Sequence, residues 1–334
     1  MWPIALCRKQ LFGPSLYFRN ARNYSTEKPS IKLVAELRKL TEVSIVKARE
    51  ALSASNNDVN GALEWLKQDL LASGEKKAAK VQDRHTGEGL VGVAVLSPGV
   101  TASQSGGVRA AMIELNCETD FVGRNALFGS LVADIAHTAA FLAEPSATDS
   151  HFSPLPVEIL QDAPLLSSQN PNPSPDSTVS RAIRDLIAKV GENVVLRRAV
   201  TVVRPPPSTL TVGYRTPFYM HNSINDPTQG RIGVLGLLQL ASPHLHESFQ
   251  DPTFVGELER IERSLARQIA GFETRSVRGP EGAEDALYNQ PFMIPGDMSG
   301  QPVGKVLEAW SKTQKMDTVD LHAFAKWTIG ESLA

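Results

Sequence analysis

The residues best placed for chemistry in this 334-residue chain form one run, Asn116-Cys117-Glu118-Thr119-Asp120-Phe121-Val122. Ahead of it, Arg109-Ala110-Ala111-Met112-Ile113-Glu114-Leu115 alternates as a half-buried strand does. After it, Gly123-Arg124-Asn125 leads into an apolar helical period. The run is therefore a strand-to-helix corner with a carboxylate, Asp120, beside a large aromatic, Phe121. Two readings fit. Asp120 can cap the following helix while Phe121 staples it to the core. Alternatively, Phe121 projects away from the body as a contact group. The residue types leave both open.

Other spacings suggest cofactor chemistry but fail on context. Gly87-Glu88-Gly89-Leu90-Val91-Gly92 satisfies G-x-G-x-x-G. A dinucleotide site needs those glycines after a strand and opening a helix, so that phosphate meets the helix N-terminus. Here a polar segment precedes them and a strand follows, which sets aside a nicotinamide-dependent enzyme. Gly300-Gln301-Pro302-Val303-Gly304-Lys305 falls one residue short of a phosphate-binding loop and carries a proline inside it. The two cysteines, Cys7 and Cys117, belong to no Cys/His cluster with metal-ligand spacing. No cofactor and no metal are expected.

Composition narrows the class further. Hydrophobic residues make up 42% of the chain and charged residues 21%, which is ordinary for a globular protein. No apolar run approaches the roughly 18–20 residues of a membrane helix, so no membrane partner is expected. A net charge of -2 supplies no general field toward nucleic acid. Residues 1–24 stand apart, with Arg8, Lys9, Arg19 and Arg22 among scattered apolar side chains and no acidic residue before Glu27. That pattern reads as a mitochondrial transit peptide, ending near Arg22-Asn23-Tyr24. Its removal takes away four cations, turning -2 into -6, and leaves Cys117 as a single reduced thiol.

The elements around the corner read as an α+β protein. Residues 31–72 carry helical periods at Leu33, Val34, Leu37 and Leu40, at Ile45, Ala48 and Leu52, and at Val59, Ala62, Leu63 and Leu66. They predict a small three-helix bundle, with Asp58 as an N-cap. A polar linker without an apolar docking face is expected over 73–88. A first α+β subdomain spans 89–204, with strands 90–96 and 109–117, helix 125–143, helix 179–190 and strand 193–203. Within it, 144–178 is rich in Pro, Ser and Asp and reads as an exposed insertion, with Phe152, Leu155 and Ile159 available for local docking. Pro205-Pro206-Pro207 marks a boundary. Beyond it, 208–334 repeats the order as a second subdomain, with strands 209–216 and 231–240, helices 253–272 and 302–312, and strand 322–330. Both subdomains are expected to hold antiparallel sheets.

Several of these stretches carry a resemblance. Cys117-Glu118-Thr119-Asp120-Phe121-Val122 after its strand resembles the signature of the elongation factor Ts family, the exchange factors of the GTPase elongation factor Tu. So do Leu33-Val34-Ala35-Glu36-Leu37-Arg38 with Ala48-Arg49-Glu50-Ala51-Leu52, whose bundle is similar to a ubiquitin-associated-type fold. Lys189-Val190-Gly191-Glu192-Asn193 and Arg231-Ile232-Gly233-Val234-Leu235 match in the same order, as does Asn289-Gln290-Pro291-Phe292-Met293-Ile294. The resemblance covers most of 31–330 and, with the basic leader, points to the family's mitochondrial branch.

That resemblance implies a nucleotide exchange factor without catalytic chemistry of its own. Its partner would be mitochondrial elongation factor Tu, located in the matrix, with no direct nucleic-acid contact. The implied contact residues are Arg49, Asp120, Phe121, Val190, Gly191, His221, Met293 and Ile294, with Phe121 wedging near the GTPase's Mg²⁺ site. Arg49 stands where the family commonly has Lys, and Arg keeps the charge but not the geometry. The family's longer coiled-coil arm finds little room between 273 and 290. A ubiquitin- or peptide-binding adaptor built on the N-terminal bundle is the alternative. It leaves the rest of the chain without a role.

Overall fold

The computed structural model describes residues 28–332 except 42, 104–105, 147–149, 169–176, 224–225 and 297. The basic leader and the run 170–175 within the insertion lie outside the described residues. The chain divides into two units, one up to Leu70 and one from Leu71.

In the first unit, α1 (Ile31–Thr41), α2 (Ile45–Ala54) and the start of α3 (Val59–Val81) enclose Val34, Leu37, Ala48, Ala51, Leu52 and Ala62. The helix starts have identifiable caps. Ser44 Oγ accepts from the Lys47 amide at 3.2 Å and Asp58 Oδ2 from the Gly61 amide at 2.6 Å, satisfying donors that the first turn leaves open. Asn56 and Asn57 take left-handed φ values of 53° and 62° between α2 and α3, a conformation that asparagine tolerates.

The second unit begins within α3, and here the sequence expectation needs correction. Where an undocked linker was expected, the helix continues to Val81. Ala78 and Val81 pack against the core of the first sheet, and Lys77 Nζ donates to the Ala188 carbonyl at 3.2 Å. Ala78, Ala79 and Val81 at the end of a polar run are too few to make a period that reveals this docking.

There follow β1 (Glu88–Pro98), β2 (Val108–Cys117), α4 (Asp120–Gly123), α5 (Ala126–Leu142), β3 (Ser153–Pro154), α6 (Val157–Asp162), α7 (Val179–Val190) and β4 (Val194–Arg204). The remainder is β5 (Val212–Arg215), β6 (Phe218–His221), β7 (Gln229–Gly230), β8 (Ile232–Ala241), α8 (Leu245–Ser248), α9 (Pro252–Gly271), α10 (Val303–Thr313) and β9 (Thr318–Thr328). A five-stranded antiparallel sheet has the order β3-β4-β2-β1-β7. In the second sheet β8 is central, with β9 along one side and β5 and β6 in succession along the other. The strand expected over 209–216 is shortened to β5, and β6 is a further short strand beyond Thr216-Pro217. Pro217 lacks the N–H that a continuous ladder would use.

Alternation along β2 builds the layers. Ala111, Ile113, Leu115 and Cys117 face α5 and α7, while Val108, Ala110 and Met112 face the second sheet together with Val91, Leu235 and Leu237. Val234, Leu238 and Leu240 on the other side of β8 pack under α9 and α10. The unit is a helix–sheet–sheet–helix stack, an α+β architecture with both sheets antiparallel. The glycine-rich 87–92 run lies at the start of β1 and within it, and opens a strand where a dinucleotide site needs a helix. A Cβ on Gly92 would meet Val132 Cγ1 at 2.4 Å, so its glycine lets α5 press onto the sheet.

The insertion is more embedded than its composition suggests. β3 pairs with β4, and the Leu155 amide donates to Ala199 O at 3.0 Å. Leu160 on α6 is fully buried in the core of the first sheet, whereas Ile159 faces solvent. Pro164 and Thr178 close the segment by a β-bridge. α6 carries Val157, Ile159 and Leu160 among Glu158, Gln161 and Asp162, and so short an element does not show which of its apolar residues is buried.

Candidate functional site: the Phe121 corner and its neighbours

β2 ends at Cys117, a buried thiol that donates to Thr119 O at 3.1 Å. Burial pushes its pKa up to about 12, with the charges of Glu192 and Glu88 acting in the same direction, so it stays protonated and structural. Thr119 then starts the single turn α4. The cap of the helix beyond is Asn125, whose Oδ1 accepts from the Leu127 amide at 2.9 Å, so Asp120 is not that cap. Asp120 instead pairs with Arg124 Nη2 at 3.1 Å along α4. The Arg124 side chain is exposed and that of Asp120 partly so, and such a pair orients more than it stabilises.

On this turn Phe121 is 82% exposed while Val122 is buried beneath it. The staple reading of Phe121 is thereby excluded. Val122 does the anchoring, in contact with the core that holds Leu131 and Ile135.

The corner is fixed from the side by the turn that follows α7. Gly191 ends that helix with φ 78°, its amide donating to Ile187 O at 2.8 Å, a left-handed closure that glycine accepts without penalty. The next two residues reach across. Glu192 Oε2 accepts from the Thr119 amide at 3.0 Å and Oε1 from Thr119 Oγ1 at 2.6 Å. Glu118 Oε1 accepts from the Asn193 amide at 2.6 Å. The Asn193 side chain donates to Gln82 O and Arg84 O, both at 3.0 Å, tying in the end of α3. Asp120, Phe121, Val190 and Gly191 are thus brought to one place by bonds that span more than seventy residues of sequence.

His221 joins this neighbourhood through Arg231. His221 is exposed at the end of β6, and its carbonyl accepts from the Arg231 amide at 2.9 Å. The Arg231 guanidinium is ion-paired with Glu88, which keeps its pKa above the ordinary value, and the Asp120 charge adds to that field.

Met293 and Ile294 lie elsewhere, against α9 and α10. Met293 is 67% exposed, and its amide is held by Gln268 Oε1 at 3.2 Å. Ile294 lines a groove of about 760 Å³ together with Arg263, Arg267 and Trp310. Arg49 is exposed on α2, in the other unit. Among the described residues no group of three or more His, Cys, Asp or Glu is placed to hold a metal ion.

Glu118, Glu192, Asn193 and Arg231 received no role from sequence reasoning, although each lies inside a motif that was noticed. For Glu118, Glu192 and Asn193 the signal is a carboxylate or amide within two residues of Asp120 or Gly191, and Arg231 carries no such mark. Periodicity gives no reason to read that as pairing between loops.

Comparison with known proteins decides the family. A model of the family described as Elongation factor TS matches residues 118–286, beginning at Glu118 itself. "Elongation factor Ts, mitochondrial" of Coprinopsis cinerea is 54% identical over 331 residues, covering 96% of this chain and 98% of that protein. The chain belongs to the elongation factor Ts family. The Laccaria bicolor protein of the same name is 53% identical over 323 residues, covering 93% of this chain and 95% of that protein. That of Cryptococcus neoformans var. neoformans is 33% identical over 342 residues, covering 92% and 89%. The elongation factor Ts relatives are mitochondrial by name, and this chain is a mitochondrial protein of translation elongation. The adaptor reading of the N-terminal bundle is not favoured. The corner at Phe121 therefore lies at the start of the stretch that the family model matches and is not an isolated motif.

Proposed function

We infer that this chain binds mitochondrial elongation factor Tu in its GDP-bound form and speeds the loss of GDP, with Phe121 as the wedge. The observation that carries this reading is a large aromatic held almost fully exposed on a short, well-tied turn. Water disfavours that exposure, and a partner surface would relieve it. Asp120 and Arg124 keep the turn wound, while Val190, Gly191 and His221 supply neighbouring contact surface. Arg49, Met293 and Ile294 add contacts from separate surfaces.

The process needs no acid, base or nucleophile from this chain. A GTPase holds GDP through a phosphate-cradling loop and Mg²⁺, whose charge neutralises the phosphates. If binding of this chain weakens GDP binding by some factor, GDP weakens the binding of this chain by the same factor. Tight association with the empty GTPase and fast GDP release are one coupling free energy. A wedge near the Mg²⁺ site exploits it, because its burial is available only when the nucleotide site is rearranged.

Stopped-flow release of a fluorescent GDP analogue from the mitochondrial GTPase tests this directly. Phe121→Ala should slow the stimulated release by tenfold or more, on the order of 1.4 kcal/mol or above, with the mutant's melting temperature unchanged. Parent-like release from a folded Phe121→Ala protein would reject the wedge.

A further inference from the structure

The bonds between the two loops of this corner are reciprocal. Glu118, just before the Phe121 turn, accepts from the backbone after Gly191 at 2.6 Å. Glu192, just after Gly191, accepts from the backbone and hydroxyl of Thr119 at 3.0 and 2.6 Å. Each loop thus lends a carboxylate to the other's main chain, Glu192 from directly beside Gly191 and Glu118 from two residues before Asp120. These are charge-assisted bonds, the stronger and shorter class. Thr119, Glu118 and Glu192 are all partly sheltered from solvent. Asn193 is buried and extends the tie to Gln82 and Arg84, just beyond the end of α3. Nothing comparable holds Phe121 by its own side chain. Its direction is set by where Thr119 begins the turn, and Thr119 is set by Glu192.

We propose that Glu192 and Glu118 are positioning residues for nucleotide exchange, acting as a carboxylate clamp that pre-aims Phe121 and the Val190-Gly191 turn before the GTPase arrives. This rests on the exchange reading above. The physical reason is that an aromatic on an untied four-residue turn would sample many directions, and binding would have to order it. The clamp makes that ordering part of folding. It gives Glu192 an influence on exchange without requiring contact with the partner.

The role of Glu192 differs from a purely structural one in three measurable ways. Glu192→Ala should quicken amide hydrogen exchange over 118–121 and 191–193 in the free protein while leaving α5 protected. Stimulated GDP release should fall by about tenfold to a hundredfold, the scale at which a misplaced group fails in a preorganised site. Glu192→Gln should restore most of the rate. Its amide oxygen can accept the Thr119 N–H, and its NH₂ can donate to the Thr119 hydroxyl, which serves in either sense.

The decisive comparison is the double variant. If Glu192 acts through Phe121, Glu192→Ala adds little once Phe121 is already alanine, since coupled residues are not additive. Should Glu192→Ala fail to fold, Thr119→Val removes only the hydroxyl arm and carries the same expectations at smaller size. A parent-like release rate for folded Glu192→Ala, or a loss that multiplies fully with that of Phe121→Ala, would overturn the clamp. A parent-like rate for Phe121→Ala alone would instead remove the wedge and with it any role in aiming one, even where the loops exchange faster. Support requires quickened loop exchange, slowed release, rescue by Gln and non-additivity with Phe121→Ala together.

Discussion

Phe121 and Val122 are neighbours in the chain and opposites in burial: the first is 82% exposed and the second 8%. One short turn sends consecutive side chains out of the molecule and into its core. Their substitutions should therefore separate function from stability. Val122→Ala should cost about 1–3 kcal/mol through lost burial and a small cavity. Phe121→Ala should stay within about 0.5 kcal/mol of the parent, as exposed positions do. Chemical denaturation of both variants checks this, and a cost above about 2 kcal/mol for Phe121→Ala would place its ring in the core after all.

Leu160 gives a second stability test, inside the insertion. It is fully buried on α6 against the core that includes Ala139, Val179 and Leu196. Leu160→Ala should lose about 2–5 kcal/mol, and Ile159→Ala, one residue away and exposed, should lose little. Deletion of 146–176 removes β3 and α6 together and should lower the melting temperature markedly. A deletion variant that melts like the parent would show that these contacts contribute nothing.

Glu114 is a fully buried carboxylate gripped by two consecutive arginines, with Arg197 Nη1 at 2.9 Å and Arg198 Nε at 2.6 Å. Consecutive strand residues ordinarily point to opposite faces. Here a register shift opposite Glu114 and Leu115 leaves Arg197 as the extra residue of a bulge, and both guanidiniums reach one carboxylate. Arg198 also pairs with Glu331 at 2.6 Å and stacks over Trp327 at 4.3 Å, linking the first sheet to β9 and the residues after it. Glu114→Ala would take the carboxylate from Arg197 and leave Arg198 with Glu331 alone, and should cost about 3–5 kcal/mol, read as a shifted urea midpoint at unchanged slope. Glu114→Gln, which keeps an acceptor, should cost less.

His322 supplies a pH dependence. Burial lowers its pKa from 6.5, and the Arg278 and Arg204 charges act in the same direction while Asp320 opposes them. The unfolded chain therefore binds a proton more readily than the folded one below pH 6.5. The stability contributed by neutral His322 is present above that pH and is lost as pH falls toward the lower folded value. His322→Gln should flatten the stability profile between about pH 5 and pH 7. A parallel downward shift of the whole curve, with its slope intact, would assign the dependence to other groups.

Local patterning marks the main strands and helices, and the ordered motifs mark the family. Periods of two and of 3.6 placed β2, α5, α7 and α9 within a residue or two of their observed bounds, because burial of one face is written into neighbouring side chains. The Cys117–Val122 motif and its companions in order identified elongation factor Ts. Tertiary structure decided the rest. Whether Phe121 is a staple or a wedge depends on which of two adjacent apolar residues finds the core, and the motif reads the same either way. The docking of Leu160 and Val81 is decided in short stretches, where too few turns separate the buried apolar side chains from exposed ones such as Ile159. The ties at Thr119 and Asn193 join residues 73 and 75 positions apart through a side chain on one strand-end and a backbone amide on another. Such a bond forms only where two separately folded elements happen to end side by side. No local pattern in the chain encodes that meeting, and it is what aims Phe121.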